Sequence, residues 1–179
     1  MGVDRLDDAG LVRAARAGNR EAAGELFHRH WRGAWRAAYG ITGRRAMADD
    51  VAADAFERAF AALGRFDERR PFAPWLHRIV VNRALDLLRT ERRLVGVDTV
   101  VEEDGTSEGS AEGDRALLQA VVSLPLQRRV VIVLRYGVGL APDEIAHVLG
   151  VPVGTVHSRL ARALAQLRDQ FEVHGVRGA

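Results

Sequence analysis

Cysteine is absent from the chain, which excludes disulfides and thiolate zinc sites. Lysine is absent as well: all 26 basic residues are arginine, so every fixed cation is a planar, multidentate donor suited to phosphate and carboxylate. Aromatic residues make up only 6% of the chain, so each ring that looks exposed has to be accounted for. No apolar run approaches the ~20 residues of a membrane span. Nor does the N-terminus open with a charged-then-apolar leader. The expectation is a cytoplasmic protein without membrane insertion.

What is present is divided by charge. Residues 1–95 carry 18 arginines against 13 acids, residues 96–114 carry 7 acids and no arginine, and residues 115–179 carry 8 arginines against 4 acids. The net charge of +2 therefore hides two basic parts around an acidic strip. That strip, GVDTVVEEDGTSEGSAEGD, is rich in glycine and serine and shows no helical or strand period, so it reads as a flexible linker. Fully stretched, the segment from Leu94 to Asp114 spans about 70 Å at ~3.3 Å per residue. With 179 residues, 47% of them hydrophobic, the chain could form one domain or two small ones, and either can bury a modest core.

Within the second basic part, residues 140–167 have the pattern of a helix-turn-helix. Ile145, Ala146 and Leu149 form one apolar face, and Val153, Val156 and Leu160 form the next, at helical spacing. Gly150 can take the positive φ that ends the first helix abruptly. Pro142 and Pro152 can each open a helix, where a missing N–H costs nothing. A plain helical hairpin would share this pattern. The outer face favours duplex DNA instead, because Thr155, Ser158, Arg159 and Arg162 are residue types that reach phosphates and base edges in a major groove.

The first basic part also reads as helices. Leu6–Ala17 and Arg20–Tyr39 repeat apolar residues at helical spacing, with Leu26, Phe27, Trp31 and Trp35 as expected buried knobs and Asn19 as a cap. Asp49 or Asp50 can cap the next helix, which ends near Leu63 and carries Asp50, Asp54, Glu57 and Arg58 on its polar face. That face fits either solvent or a docking partner. After Gly64, Pro71 and Pro74, Trp75 begins an amphipathic helix whose Leu76, Ile79, Val80 and Leu87 face inward. Arg78, Asn82, Arg83, Asp86 and Arg89 occupy its polar sides. Aromatics interleaved with arginines around a stiff loop suit unpaired bases, although a ring at a helix start also suits a core.

Catalysis finds no constellation here. His28 and His30 point to different helix faces, Glu144 and His147 form a single E-x-x-H without a second copy, and no serine has a placed base. A two-component or quorum-type regulator would share the helix-turn-helix, but the receiver or ligand-binding α/β pattern that it would need is missing.

The segments DDVAADAFERAFAALGRFDERRPFAPWLHRIVVNRALDLLR and SLPLQRRVVIVLRYGVGLAPDEIAHVLGVPVGTVHSRLARAL resemble, in this order, the second and fourth regions of bacterial extracytoplasmic-function sigma factors, the small members of the sigma-70 family. The likeness extends over residues 6–169. It implies an all-α fold of two small helical domains: region 2 at 1–95, an acidic flexible linker at 96–114, and region 4 with its helix-turn-helix at 115–179. It also implies an initiation subunit without catalytic residues, metal or cofactor, whose partners are core RNA polymerase, promoter DNA and an anti-sigma factor. By this resemblance Asp50, Asp54, Phe56, Glu57 and Arg58 dock on the polymerase. Phe66, Phe72, Trp75, Arg78, Asn82, Asp86 and Arg89 meet the single-stranded minus-10 element, and Thr155, His157, Ser158, Arg159 and Arg162 meet the duplex minus-35 element. Two departures stand out: His157 occupies a position where the family usually has lysine or arginine, which should weaken a phosphate contact near neutral pH, and the linker is unusually acidic.

Overall fold

The computed structural model describes residues 5–95 and 112–175, and every regular element among them is helical. The expected linker lies outside the described residues up to 111. Its last three residues, 112–114, open a helix instead of finishing a tether.

Helix α1 (Asp8–Arg16) starts where the Asp7 carboxylate accepts from the Gly10 amide at 2.8 Å. Helix α2 (Arg20–Thr42) starts in the same way, with Asn19 accepting from the Ala22 amide at 3.1 Å, and stops at Gly43, whose φ of 73° is left-handed. Helix α3 (Arg45–Ala62) begins earlier than Asp49 or Asp50 would place it, and Arg44 at its start provides no side-chain cap. Both acids therefore lie inside the helix. A single 3-10 turn at Leu63–Arg65 and an irregular loop lead into α4 (Phe72–Val95), which starts three residues before Trp75. Small side chains bring these helices together: Ala34, Ala37 and Ala38 of α2 and Ala48, Ala52, Ala55 and Ala59 of α3 are completely buried. Leu76, Val80, Val81 and Leu88 close the core from α4, while Ile79 and Leu87 are half-buried.

The second part comprises α5 (Glu112–Ser123), α6 (Leu126–Ile132), α7 (Pro142–Leu149) and α8 (Val153–Gly175). Helix α6 runs directly into a wider π-helical stretch, Val133–Val138, which ends at Gly139 with a φ of 92°. Ile145 and Val148 of α7 and Val156, Leu160, Ala163 and Leu167 of α8 form the buried faces. Val153 is an exception to the expected pattern: at the first turn of α8 it is 39% exposed, because the chain has not yet come under the preceding helix.

The two parts share one hydrophobic core. Helix α2 packs against α5, α6 and the π-helical stretch, and α4 packs against α7. Arg129 of α6 is only 5% exposed and crosses this boundary, donating from Nη1 to the Ile41 carbonyl at 2.8 Å. Its Nη2 donates to the carbonyls of Val122 and Leu124, within its own module. Burial, reinforced by Arg92, pushes the Arg129 guanidinium down to about 10.

Candidate nucleic-acid interface

The turn before α8 aims one face of that helix outward. Gly150 adopts a φ of 65°, and the Val151 amide donates back to the Ala146 carbonyl at 3.1 Å, so α7 ends sharply. Pro142 opens α7 as expected. Ala141 cannot cap with its methyl group, and the Glu144 carboxylate substitutes by accepting from the Ala141 amide at 2.7 Å. On α8, Val156 and Leu160 turn inward while His157, Ser158 and Arg162 are exposed. Thr155 and Arg159 are half-buried at the edge of the same face. Ser158 donates to the Thr155 carbonyl at 3.0 Å, and Arg159 donates to Gln127 of α6 at 3.0 Å. Arg162 forms no hydrogen bond or ion pair among the described residues, so its full fork of donors points to solvent.

Helix α4 presents a second polar stripe. Arg78, Asn82, Asp86 and Arg89 are all exposed and recur at three- or four-residue intervals on one side of the helix. Asp86 and Arg89 form an ion pair at 3.2 Å. The loop before α4 is tightly held: Asp67 accepts from the Arg69 amide and guanidinium, and these bonds keep its carboxyl below the usual carboxylate range. From α1, Arg16 donates to the Leu63 carbonyl at 2.8 Å and also to that of Phe66.

Two expected base-stacking residues are not on this surface. Phe66 and Phe72 are 5% and 2% exposed, with ring centroids 5.8 Å apart in an edge-on contact. Trp75 covers them, 4.7 Å from Phe66 and 5.6 Å from Phe72, and is itself half-buried. The rings fill the hole where the irregular loop leaves no regular element over the core. Of the three aromatics, Trp75 is the one with a substantial side open to solvent.

The acidic side of α3 is also divided. Asp50, Glu57 and Arg58 are exposed, whereas Phe56 is 2% exposed and points into the core, contrary to its expected docking role. Asp54 is half-buried between Arg58, at 3.0 Å, and Arg83 of α4. Burial works to raise the Asp54 carboxyl, but the two arginines outweigh it and hold it below the usual range.

Of the aromatics expected as buried knobs on α2, Phe27 is exposed and Trp31 and Trp35 are half-buried. Phe27, Trp31, Trp35 and Tyr39 recur every four residues along α2. Phe27 stacks on Trp31 at 4.9 Å, and Trp35 stacks on Tyr39 at 4.9 Å. Trp35 also donates to Asp49 at 2.6 Å and lies under Arg45. Phe27, expected in the core, is 39% exposed and leans on Phe56 of α3. The four-residue spacing was visible in the sequence; the side of the helix that it occupies was not.

Among the described residues no group of acids and histidines is arranged to hold a metal ion, and no helix is long and apolar enough to cross a membrane.

Comparisons with known proteins agree on one family. Residues 26–94 match the description Sigma-70 region 2, and residues 114–167 match Sigma-70, region 4. The RNA polymerase sigma factor NccH of Alcaligenes xylosoxydans xylosoxydans is 35% identical, over 92% of this chain and 95% of its own length. The ECF RNA polymerase sigma factor SigM of Mycobacterium tuberculosis is 37% identical, over 93% of this chain and 85% of its own. The solved structure of CnrH in complex with the cytosolic domain of CnrY superposes with a TM-score of 0.75 at 33% identity, covering 93% of this chain and 97% of CnrH.

Proposed function

The chain belongs to the extracytoplasmic-function group of the sigma-70 family of RNA polymerase sigma factors, and from that membership we propose how its surfaces divide the work. A sigma factor brings core RNA polymerase to promoters and has no catalytic activity of its own. Residues 1–95 serve as region 2 and residues 115–179 as region 4. The acidic face of Asp50 and Glu57, with Arg58, docks on a basic polymerase surface; Asp54 holds this face against α4, and Phe56 supports it from the core. Arg78, Asn82, Asp86 and Arg89, with the free edge of Trp75, meet the unpaired minus-10 strand, while Phe66 and Phe72 stiffen the loop from below. Arg162 reads a base in the minus-35 duplex. Arg159, Ser158, Thr155 and His157 position the backbone.

The observation that carries this division is the pair of outward polar stripes, Arg78–Asn82–Asp86 on α4 and Ser158–Arg162 on α8, on the two segments that match regions 2 and 4. The test is run-off transcription from a promoter library with purified core enzyme, with and without the chain. No promoter-specific product and no complex with core in gel filtration would overturn it.

A protein partner of the anti-sigma type fits a third surface. Between α2 and the second module lies an open apolar cavity of about 630 Å³, lined by Tyr39, Leu117, Leu118, Val121, Tyr136 and Leu164. Leu117 and Tyr136 are 49% and 62% exposed there. CnrH, the relative of matching shape, is held in a complex with a cytosolic domain of CnrY, and an apolar helix of a comparable partner would bury these side chains. Co-purification of the wild-type chain with such a partner, lost on Leu117→Glu, is the expected outcome.

A further inference from the structure

Three consecutive residues at the start of α6 bond to different partners. The helix opens after Pro125, whose carbonyl accepts from the amides of Arg128 and Arg129 at 2.8 and 3.0 Å. Successive side chains on a helix point about 100° apart, and each of the three takes its own direction. Arg129 turns inward to the carbonyls of Ile41, Val122 and Leu124. Arg128 donates to Gln166 of α8 at 2.8 Å, and Gln127 accepts from Arg159 of α8 at 3.0 Å. Gln127 and Arg128 are adjacent, whereas residues 159 and 166 lie about 10.5 Å apart along α8 at ~1.5 Å per residue. Helix α8 is therefore tied at two points, one of them on the turn that carries Ser158 and Arg162.

The outer tie is not needed to seat the helix. Val156, Leu160, Ala163 and Leu167 already bury one side of α8, and Gln170 donates to Ser123 of α5 at 3.0 Å. Gln127 is exposed, and an exposed hydrogen bond of this kind only replaces one with water, so it adds little to stability. Its effect is local: it fixes one guanidinium. Only Nη2 of Arg159 is engaged, and the rest of its fork makes no hydrogen bond or ion pair among the described residues. An arginine that is already ordered loses less rotamer freedom when it meets a ligand than one that swings in solvent.

We propose that Gln127 of α6 is a positioning residue for minus-35 binding: by accepting from Arg159 it holds that guanidinium, before DNA arrives, in the orientation that meets the duplex backbone. The inference rests on the assignment of Arg159 to the backbone given above, and the test tells its failure from that of the assignment.

Gln127→Met keeps the length of the side chain and removes the acceptor. The full chain in complex with core polymerase is titrated with duplexes varied one minus-35 pair at a time, as wild type, Gln127→Met, Arg159→Ala and the double variant, and the free chains are melted thermally. Gln127→Met should weaken every duplex alike by roughly two- to tenfold, leave the melting temperature unchanged, and add nothing once Arg159 is alanine. Gln166→Met, which removes the inner tie, should leave duplex affinity at the wild-type value. Wild-type affinity in Gln127→Met, or a loss confined to one base pair, overturns the proposal. An equal loss with and without Arg159 also overturns it, because Gln127 would then touch DNA itself, and so does an equal loss from Gln166→Met, which would make both ties part of seating α8. If Arg159→Ala binds every duplex as wild type does, the assignment of Arg159 fails and takes the proposal with it; if Gln127→Met alone is silent, the assignment stands and the proposal falls.

Discussion

Arg83 on α4 pairs with the Asp54 carboxylate on α3, so the helix proposed to carry the polymerase-docking face is joined ionically to the helix proposed to meet the minus-10 strand. Asp50 and Glu57, on the same helix as Asp54, are exposed. The three acids therefore separate by experiment. Reversing Asp50 and Glu57 together should weaken core binding by about 2 kcal/mol while leaving thermal stability nearly unchanged. Asp54→Asn should instead lower stability by about 1 kcal/mol. Because the folded carboxyl is held below its ordinary value, this contribution is complete above the ordinary carboxylate pKa of about 3.9 and disappears as the pH falls through the folded value. Titration by urea unfolding at several pH values measures it.

His77 supplies a second pH dependence of known direction. Its ring is 2% exposed, with Nδ1 bonded to the Ala73 carbonyl at 2.7 Å. Burial lowers its pKa, and the Ala73 and Gly33 backbone and Glu144 offset this only partly, with His30 nearby acting in the same direction as burial. The unfolded chain therefore takes up a proton before the folded one does. Stability should be complete above about pH 6.5 and fall below it by at most ~1.4 kcal/mol per pH unit. His77→Phe should flatten that slope below pH 6.5 in thermal melts.

Asn82 is exposed, and its side chain makes no hydrogen bond among the described residues. Asn82→Ala should lower transcription and relax preference at one minus-10 base with the melting temperature unchanged. Phe72→Ala should do the opposite. Removing a ring that is 2% exposed should cost about 3 to 5 kcal/mol of stability. A stable Phe72→Ala protein with altered base preference would return that ring to the DNA surface.

Arg162 and Arg159 differ in freedom, since Arg159 is bonded to Gln127 and Arg162 is bonded to none of the described residues. Arg162→Ala should cost roughly 1 to 3 kcal/mol at one minus-35 base pair. Arg159→Ala should weaken all duplexes alike and reduce the salt slope by about 1. Binding of the full chain with core to duplexes varied one pair at a time, at several salt concentrations, distinguishes them.

Helices, the turn at Gly150 and the outward face of α8 were legible in the sequence because each depends on neighbours three or four residues away. Phe27 and Val153 were misplaced for a related reason: helical spacing groups residues onto a face but does not say which face another element covers. Phe66 and Phe72 were ambiguous between core and DNA, and the hole they fill exists only once α1, α2 and α4 have met. Arg129 is one arginine among 26, and nothing in its surroundings along the chain announces burial. Gly40 is still less conspicuous. A Cβ there would collide with Val133, which lies 93 positions away, so the reason for that glycine exists only in three dimensions.

The two bonds from Arg16 to the carbonyls of Leu63 and Phe66 mean that the loop before α4, proposed to meet the minus-10 strand, is held by α1, outside the segment that matches region 2. A fragment trimmed to residues 26–94 would retain every side chain expected to touch the minus-10 element and lose the strut that holds the loop before α4. Grafting the proposed minus-10 preference onto another sigma factor would therefore require transplanting α1 as well.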